Sequence, residues 1–486
     1  MEFYVFNVTN IDAVTFFGAK PSLVEVGPFG VWEIENKKEY QFNEDQTQVW
    51  YKNYKTYIYD REMSCEICDY NAAVSIPNLP GLGAYQELTN PKYKVSEFAQ
   101  QIFGIVFDGY EDSLLTAAHS ELVKLISLAF NVTNFNQTTF IPIPVPEMKK
   151  LAFFYQYNNT NDEEYWIDTG KNDVNNLGKV ISWANLTLLP ETWYSTKQTR
   201  MINGSDSGTF QHPDLETTDR LQLFMSFLCR SLYLDFSHKT DVSGIPTYEF
   251  HSPPSVFDTT LEENLGMQYE NFERVNYVPN WPNCPPLNTT ADCYNINIDC
   301  RIGKNFCHTC CNGSFYNETY LLPPGLFPVK CYPGKVKEPP FTVFISAPHY
   351  AFSPPELVNT VVGLLPKLPE DTPFIYNHEP TSGMVTKVVF QFQISVPIYR
   401  NPKFVVTANM ANALLPFLGL KANGNLTPSA LSLIKTSFVT VPFIVFIVKI
   451  VTLIIAFFIA FFSFALNYRV NAKRPKLHQN GVNGRI

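Results

Sequence analysis

The sequence predicts a mainly β protein with one helical interruption and a C-terminal transmembrane helix. Three observations carry this. The 36 prolines are too many for a helical bundle and suit turns and edge strands. Aromatic and β-branched residues recur in short alternating runs, with 40 Phe and 26 Tyr supplying much of the apolar surface. The chain then closes on a long, nearly uncharged apolar stretch from Phe438 to Leu466.

That stretch contains one charge, Lys449, and from Ile450 to Leu466 its only polar side chains are Thr452 and Ser463. A helix rises about 1.5 Å per residue, so roughly 20 apolar residues cross the hydrocarbon core, and this run suffices. The stem of Lys449 lets its ammonium reach toward the interface. Arg469, Lys473, Arg474 and Lys476 follow, with no Asp or Glu as far as Ile486. Positive flanks stay cytoplasmic, which places residues 467–486 inside as a short tail and residues 1–437 outside or in a lumen. The net charge of −9, without a basic run before the tail, excludes nucleic acid as an expected partner.

The compartment is marked twice. Sequons stand at Asn7, Asn131, Asn136, Asn158, Asn185, Asn203, Asn288, Asn312, Asn317 and Asn425, all before the span, and read as glycosylation acceptors. The 10 cysteines also precede it, an even number suited to disulfides in an oxidising space. Met1-Glu2-Phe3-Tyr4 opens without a basic n-region, an apolar h-region or a cleavage site. A C-terminal span alone would leave the large domain in the cytosol, so the expectation is that a signal or first span precedes this sequence, making the full protein two-pass.

The elements follow in order. Residues 3–60 read as strands: Ser22 to Val26 runs into Gly27-Pro28-Phe29-Gly30, taken as a turn, and then Val31 to Ile34. Tyr51, Lys55, Tyr57 and Tyr59 share one parity of the run Gln48 to Tyr59. Between residues 92 and 130 the period changes. Phe98, Ile102, Ile105 and Val106, then Leu114, Ala118, Leu122, Leu125 and Ala129, fall at helical spacing, with Gly109 and Asp112-Ser113 between them. Residues 140–210 return to short strands and loops. Phe390, Phe392, Ile394 and Val396 alternate with Gln391, Gln393 and Ser395, which predicts a half-buried antiparallel strand. No repeat or low-complexity linker divides residues 1–437, so they form one domain.

Catalytic patterns are weak. Ser205-Asp206-Ser207-Gly208 lacks the Gly-x-Ser-x-Gly elbow. Gly81-Leu82-Gly83 lacks the third glycine of a nucleotide fingerprint. His349, placed in a Pro-His-Tyr strand, has no nameable partner and reads as a packed or hydrogen-bonded histidine. No enzyme activity and no cofactor are expected. Cysteine concentrates at Cys284, Cys293, Cys300, Cys307, Cys310, Cys311 and Cys331, with Cys229 upstream and Cys65-x-x-Cys68 apart. Cys307-His308-Thr309-Cys310-Cys311 invites a zinc reading, but two separated ligand pairs are missing and sequons adjoin it, so disulfides are the expectation at all ten positions. Cys65 and Cys68 read as a structural pair because no βαβ pattern surrounds them.

Motifs spread along the chain resemble the class B scavenger receptor family, which includes the fatty acid translocase, the high-density lipoprotein receptor and the lysosomal integral membrane protein. FYVFNVTN and KPSLVEVGPFGVWEI lie near the start, FFYQYNNT at Phe153–Thr160, MINGSD at Met201–Asp206, LCRSLYLDF at Leu228–Phe236 and GIPTYEF at Gly244–Phe250. ISAPHYAFSPP at Ile345–Pro355 and EPTSGMV at Glu379–Val385 continue the series in family order. GYED at Gly109–Asp112 is similar to the family's Gly-Tyr-Arg-Asp turn, with Glu111 at its basic position. Cys229 and Cys331 match family cysteine positions, though the pairing is not carried over.

The resemblance implies a large antiparallel β-barrel ectodomain with an apical helical bundle. It implies a tunnel toward the membrane that carries fatty acids, sterols or their esters, and lipoproteins or other lipid-bearing particles as partners. Phe103, Phe107, Phe153 and Phe154, with Glu111, then form the expected ligand apex, and Phe130, Phe135 and Phe140 belong to the same aromatic cluster. Such a receptor needs no catalytic group: an apolar path removes a cost of roughly 0.8 kcal/mol per CH₂ otherwise exposed to water. A tail without acidic residues or a dileucine favours the plasma membrane over a lysosomal or endosomal one. The alternatives are a sorting receptor that holds a luminal protein on its apical helices and a pathogen-recognition or adhesion receptor.

Overall fold

In a computed structural model the described residues are 1–69, 72–77, 79, 82, 157–259, 261–269, 275, 277–278, 300–302, 305–307, 323–339, 342–402 and 407–472. The expected helical hairpin at 92–130 and the apex residues Phe103, Phe107, Glu111, Phe153 and Phe154 lie outside them. So do Asn131, Asn136, Asn288, Asn312, Asn317, Cys284, Cys293, Cys310 and Cys311.

The chain divides into two compact units, residues 1–242 with 246–425, and residues 243–245 with 426–486. The first is built on β1 (Glu2–Val8), β2 (Leu23–Phe42), β3 (Gln48–Asp60), β4 (Thr160–Asp168), β5 (Val180–Trp183), β6 (Ser205–Asp206), β7 (Arg220–Met225), β8 (Arg230–Val242) and β9 (Ile245–His251). It continues with the hairpin β10 (Cys300–Ile302) and β11 (Asn305–Cys307), then β12 (Leu326–Pro328), β13 (Phe344–Ser346), β14 (Phe374–His378), β15 (Val385–Ile398) and β16 (Ala413–Asn425). Its helices are α1 (Ile11–Phe17), α2 (Lys197–Arg200) and α3 (Pro355–Val358); the second unit carries α4 (Pro428–Lys435) and α5 (Val441–Ala472).

The main sheet runs β5-β4-β3-β2-β1-β16-β15-β14-β9-β8-β7-β6, almost wholly antiparallel, with β12 and β13 branching from β15. Its two ends nearly meet. Lys179 beside β5 bridges Ser205 of β6, and the Val180 N–H donates to the Gly204 carbonyl at 2.9 Å. The expected barrel is therefore present as a nearly closed, barrel-like sheet; closure removes edges that would otherwise pair with other chains. The terminal strands β1 and β16 lie side by side in it.

Four local expectations are corrected, the last of them at His349. Gly27-Pro28-Phe29-Gly30 is not a turn, because β2 runs straight through it. The glycines mark close approach: a Cβ on Gly27 would sit 2.5 Å from a Tyr4 ring atom, and one on Gly30 would sit 2.3 Å from Met63 Cβ. Residues 3–60 also contain α1, which ends at Gly18 with φ +66; that glycine C-cap was the available signal. The β15 strand is buried on both faces instead of one, with Gln391, Gln393 and Ser395 at 5%, 0% and 1% exposure. Residues 344–373 cover its polar face and satisfy most of it, Gln393 Nε2 being buried without a partner. Gln391 donates to the Glu370 and Thr372 carbonyls, Gln393 accepts from the His349 N–H, and Ser395 Oγ accepts from the Tyr350 hydroxyl.

His349 is not in a strand. β13 ends at Ser346, and His349 sits in the following 3-10 turn with φ 51. Glu379–Gly383 forms a turn: the Glu379 carboxylate accepts N–H groups from Thr381 and Ser382, and Gly383 has φ +71. Cys65–Cys68 and Cys229–Cys331 are disulfides. Cys300 and Cys307 are backbone partners across the β10–β11 hairpin. In the second unit, the helical stretch Pro428–Val470 is long and apolar enough to cross a membrane.

Candidate functional site

The strongest candidate among the described residues is a charged wall inside the barrel. Side chains alternate along a strand, so Glu33, Glu35 and Lys37 of β2 share a face with Tyr51, Asn53, Lys55 and Tyr57 of β3. Register pairs them directly: Glu33 opposite Tyr57, Glu35 opposite Lys55, Lys37 opposite Asn53. Tyr51 and Asn53 are buried, which marks this face as the inner one. The shared parity in β3 is legible in sequence; the acidic partners on β2, β4 and β6 are not.

Two ion clusters result. Lys37 Nζ donates to Asp206 Oδ2 at 2.6 Å and to Tyr51 Oη and Asn53 Oδ1 at 3.1 Å each. The Tyr51 hydroxyl and Asn53 Nδ2 donate to the same Asp206 oxygen at 2.5 and 3.3 Å. Burial works against the Lys37 charge, yet Asp206 and Glu35 raise its pKa on balance. Asp206 is held below the carboxylate range because Lys37 and the Tyr51 hydroxyl outweigh its burial. Next to it, Lys55 Nζ lies 3.2 Å from Glu33, 3.7 Å from Glu35 and 3.7 Å from Asp162. Burial penalises its charge, and these three carboxylates raise it well above the ordinary lysine value.

Asp162 is the exception. It is 5% exposed, and its Oδ2 accepts from the Tyr165 hydroxyl at 3.0 Å and Ser226 Oγ at 3.2 Å. Its Oδ1 is buried without a hydrogen-bond partner. Burial pushes its carboxyl up to about 7 against the pull of Lys55. The folded pKa is raised, so ionising Asp162 costs folding free energy that grows as pH climbs from about 4 through 7. The Asp162→Asn chain is therefore expected to gain about 2 kcal/mol relative to its parent between pH 5 and pH 8, measured by denaturant unfolding at both. A gap that does not change with pH would show that the carboxyl is not desolvated.

A small cavity of about 10 Å³, the room of one water molecule, opens beside it, lined by Lys55, Tyr57, Tyr157, Asp162, Ser226 and Phe227. The strands supply its polar side. The aromatic side is Phe227, whose ring packs 5.7 Å from Phe390 and 5.6 Å from Phe392 of β15. Gly334 closes over Asp162 with φ +67; a Cβ there would lie 2.7 Å from Asp162 Cβ. The Cys229–Cys331 disulfide and the Gly334 N–H to Ser226 carbonyl bond, 3.0 Å, hold that loop against the β7–β8 turn. Lys335 Nζ donates to the Asn161 carbonyl on the same loop face. The Ser205-Asp206-Ser207 stretch, set aside as a nucleophile motif, thus enters through Asp206 as an ion partner. No His, Cys, Asp and Glu cluster able to hold a metal occurs among the described residues.

His349, expected to be packed or hydrogen-bonded, is both. Nδ1 lies 3.1 Å from Asp371 and Nε2 lies 3.3 Å from Glu25, and the ring meets Phe6 edge-on. Of the sequons, Asn158, Asn185 and Asn425 are exposed, Asn203 is half-buried, and Asn7 is half-buried with its Oδ1 accepting the Ser75 N–H.

Residues 1–467 match the family model described as the CD36 family. An uncharacterised Caenorhabditis elegans protein is 38% identical over 86% of this chain and 76% of its own length. Rat lysosome membrane protein 2 is 26% identical, over 86% of this chain and 73% of that protein. Mouse scavenger receptor class B member 1 is 23% identical, over 91% of this chain and 74% of that protein.

Proposed function

This chain belongs to the CD36 family, and from that premise we propose that it is a cell-surface, scavenger receptor-like glycoprotein that binds lipids or lipid-bearing particles and passes lipid to the membrane through its barrel. The observation that carries the reading is the barrel itself. Its sheet nearly closes, its wall holds a cavity with one aromatic side, and its last strand β16 leads through Leu426 and Thr427 into a helical stretch long enough to span a bilayer. A barrel of this strand number can enclose a path as well as a packed core. Relatives named for a membrane and for a scavenger receptor support the same class.

The test is uptake of a fluorescent sterol ester or fatty acid by cells that display the chain with residues 1–437 outside. Thr160→Phe fills the cavity from a half-buried position and also removes the Asn158-Asn159-Thr160 acceptor, so it is read against Asn158→Gln, which removes the acceptor alone. Uptake is expected to fall toward the level of cells lacking the receptor, with surface expression and particle binding retained. Unchanged uptake in a well-expressed Thr160→Phe chain would leave particle binding or sorting as the better account. The second reading is a sorting receptor for a luminal protein; of it, only residence in the lysosomal membrane is supported by the name of the rat relative at 26% identity. Fold alone does not choose the ligand.

A further inference from the structure

We propose that the N-linked sugar of Asn185 packs on the outer face of the barrel against Trp50 and Trp166, with Glu164 as its polar anchor, so that the chain carries a carbohydrate-binding surface for its own glycan. The proposal rests on the glycoprotein part of the reading above and is independent of the lipid part.

The acceptor is placed by a tight turn. Trp183 and Leu186 exchange both backbone hydrogen bonds, at 3.0 and 2.8 Å, which leaves Ala184 and Asn185 as a two-residue hairpin tip. Both have positive φ, 51 and 60, the conformation such a tip demands and Asn readily adopts. Asn185 and Thr187 are exposed, so the Asn185-Leu186-Thr187 acceptor faces solvent. Transfer from a lipid pyrophosphate-linked oligosaccharide joins the sugar C1 to Nδ2, breaks the bond from C1 to the pyrophosphate oxygen and releases one Nδ2 proton. The second Nδ2 hydrogen stays. Nδ2 donates to Glu164 Oε1, and that remaining hydrogen keeps the bond.

The same carboxylate fixes the first aromatic. Trp50 Nε1 donates to Glu164 Oε2 at 3.3 Å, so the sugar-bearing nitrogen and the indole are held on the two oxygens of one side chain. Trp166 is the second: β3 and β4 pair with Trp50 opposite Trp166 and Lys52 opposite Glu164. Tyr51 and Tyr165 of these strands are buried inside, and alternation therefore turns Trp50, Lys52, Glu164 and Trp166 outward. Lys52 Nζ lies 5.2 Å from the Trp50 ring centre and 2.9 Å from Glu39. Two half-buried indoles beside a carboxylate suit a sugar, whose C–H face lies on an aromatic ring while its hydroxyl and acetamido N–H groups donate to the carboxylate. Other acceptors are placed differently. Asn158 ties its amide to the Tyr57 backbone and Asn7 accepts the Ser75 N–H, neither contact involving a tryptophan.

The test uses the full chain, displayed by cells and purified in detergent, beside a Thr187→Ala chain that lacks only this acceptor. Glycopeptide mapping of the parent is expected to find Asn185 modified. Hydroxyl-radical footprinting should then oxidise Trp50 and Trp166 about fivefold more in Thr187→Ala than in the parent, the population ratio that a contact of about 1 kcal/mol maintains. Trp32, 55% exposed on β2, serves as the reference that does not change. In the reverse direction, an endoglycosidase acting on the native protein should release the Asn185 sugar about fivefold faster from a Trp50→Leu/Trp166→Leu chain, with release at the other modified acceptors unaltered. The Trp50→Phe/Trp166→Phe chain keeps both rings and should keep the parent rate. Intact Cys229–Cys331 pairing on non-reducing peptide mapping shows that the variants fold. Equal oxidation of the two tryptophans with and without the sugar, or release indifferent to the leucine substitutions, overturns the proposal. An unmodified Asn185 overturns it as well, while modification at Asn158 or Asn425 in the same map would leave the glycoprotein reading standing.

Discussion

Replacing Cys229 and Cys331 together with alanine lowers the unfolding free energy by about 2–5 kcal/mol, the largest single effect expected here. The bond joins positions 102 residues apart, and both cysteines are fully buried. Chain-entropy arguments put a loop of this length at the upper end of the range, whereas Cys65–Cys68, with a separation of 3, constrains far less of the unfolded chain. The cost is local as well as global. Tyr194 donates to the Cys229 carbonyl at 3.2 Å, and the loop carrying Cys331 brings Gly334 onto Asp162. Without the bond that loop loosens, water reaches Asp162, and its carboxyl moves back toward the ordinary carboxylate range. Removing only one cysteine adds a separate hazard, because its free thiol can exchange with other cysteines of the chain. Denaturant unfolding of the double variant, with the pH dependence of Asp162 followed alongside, checks both parts. A double-alanine chain as stable as its parent would mean that the fold holds residues 323–339 without the covalent tie.

The second large effect is at His349, and its sign is set by pH. Hydrogen bonds to Asp371 and then to Glu25 raise the imidazole pKa to about 9, against a smaller opposing effect of burial. With a carboxylate at each ring nitrogen, the doubly protonated ring donates to both. A folded pKa above the unfolded value stabilises fully below about pH 6.5, loses that contribution as pH rises, and gives none above about 9. The His349→Gln chain is thus expected to be less stable than its parent by about 3 kcal/mol at pH 5.5, with the gap closing by pH 9.5. His378 works in the opposite direction, because burial pushes it down to about 4, but it is present in both chains and cancels in the difference. Melting of parent and variant at three pH values reads the gap. A gap independent of pH would falsify the clamp and leave only packing against Phe6.

These effects depend on how far side-chain partnerships can be read along a chain. Period and composition are local properties, so the strand-rich body, the helical stretch Pro428–Val470 and the polar–apolar alternation at Phe390–Val396 were readable from the residues. The shared parity of Tyr51, Lys55 and Tyr57 was readable for the same reason. Close backbone approach is not local, and Gly27-Pro28-Phe29-Gly30 was accordingly mistaken for a turn. Nor is the covering of a strand's polar face: nothing within Gln391-Phe392-Gln393 announces that residues 344–373 lie over it.

By itself, then, the sequence determined the mainly β class, the terminal apolar helix, the family through its ordered motifs, and the cysteines now seen as Cys65–Cys68 and Cys229–Cys331. Only the tertiary structure decided which charges meet. Lys37 and Asp206 are 169 residues apart in the chain and 2.6 Å apart in space. His349 gains Glu25 across a separation of 324, and Asp162 gains Ser226 across 64 while one of its oxygens goes without. The physical reason is that a side chain's periodicity is fixed by its own backbone, whereas the group opposite it is fixed by strand register and barrel closure, to which every strand in the sheet contributes.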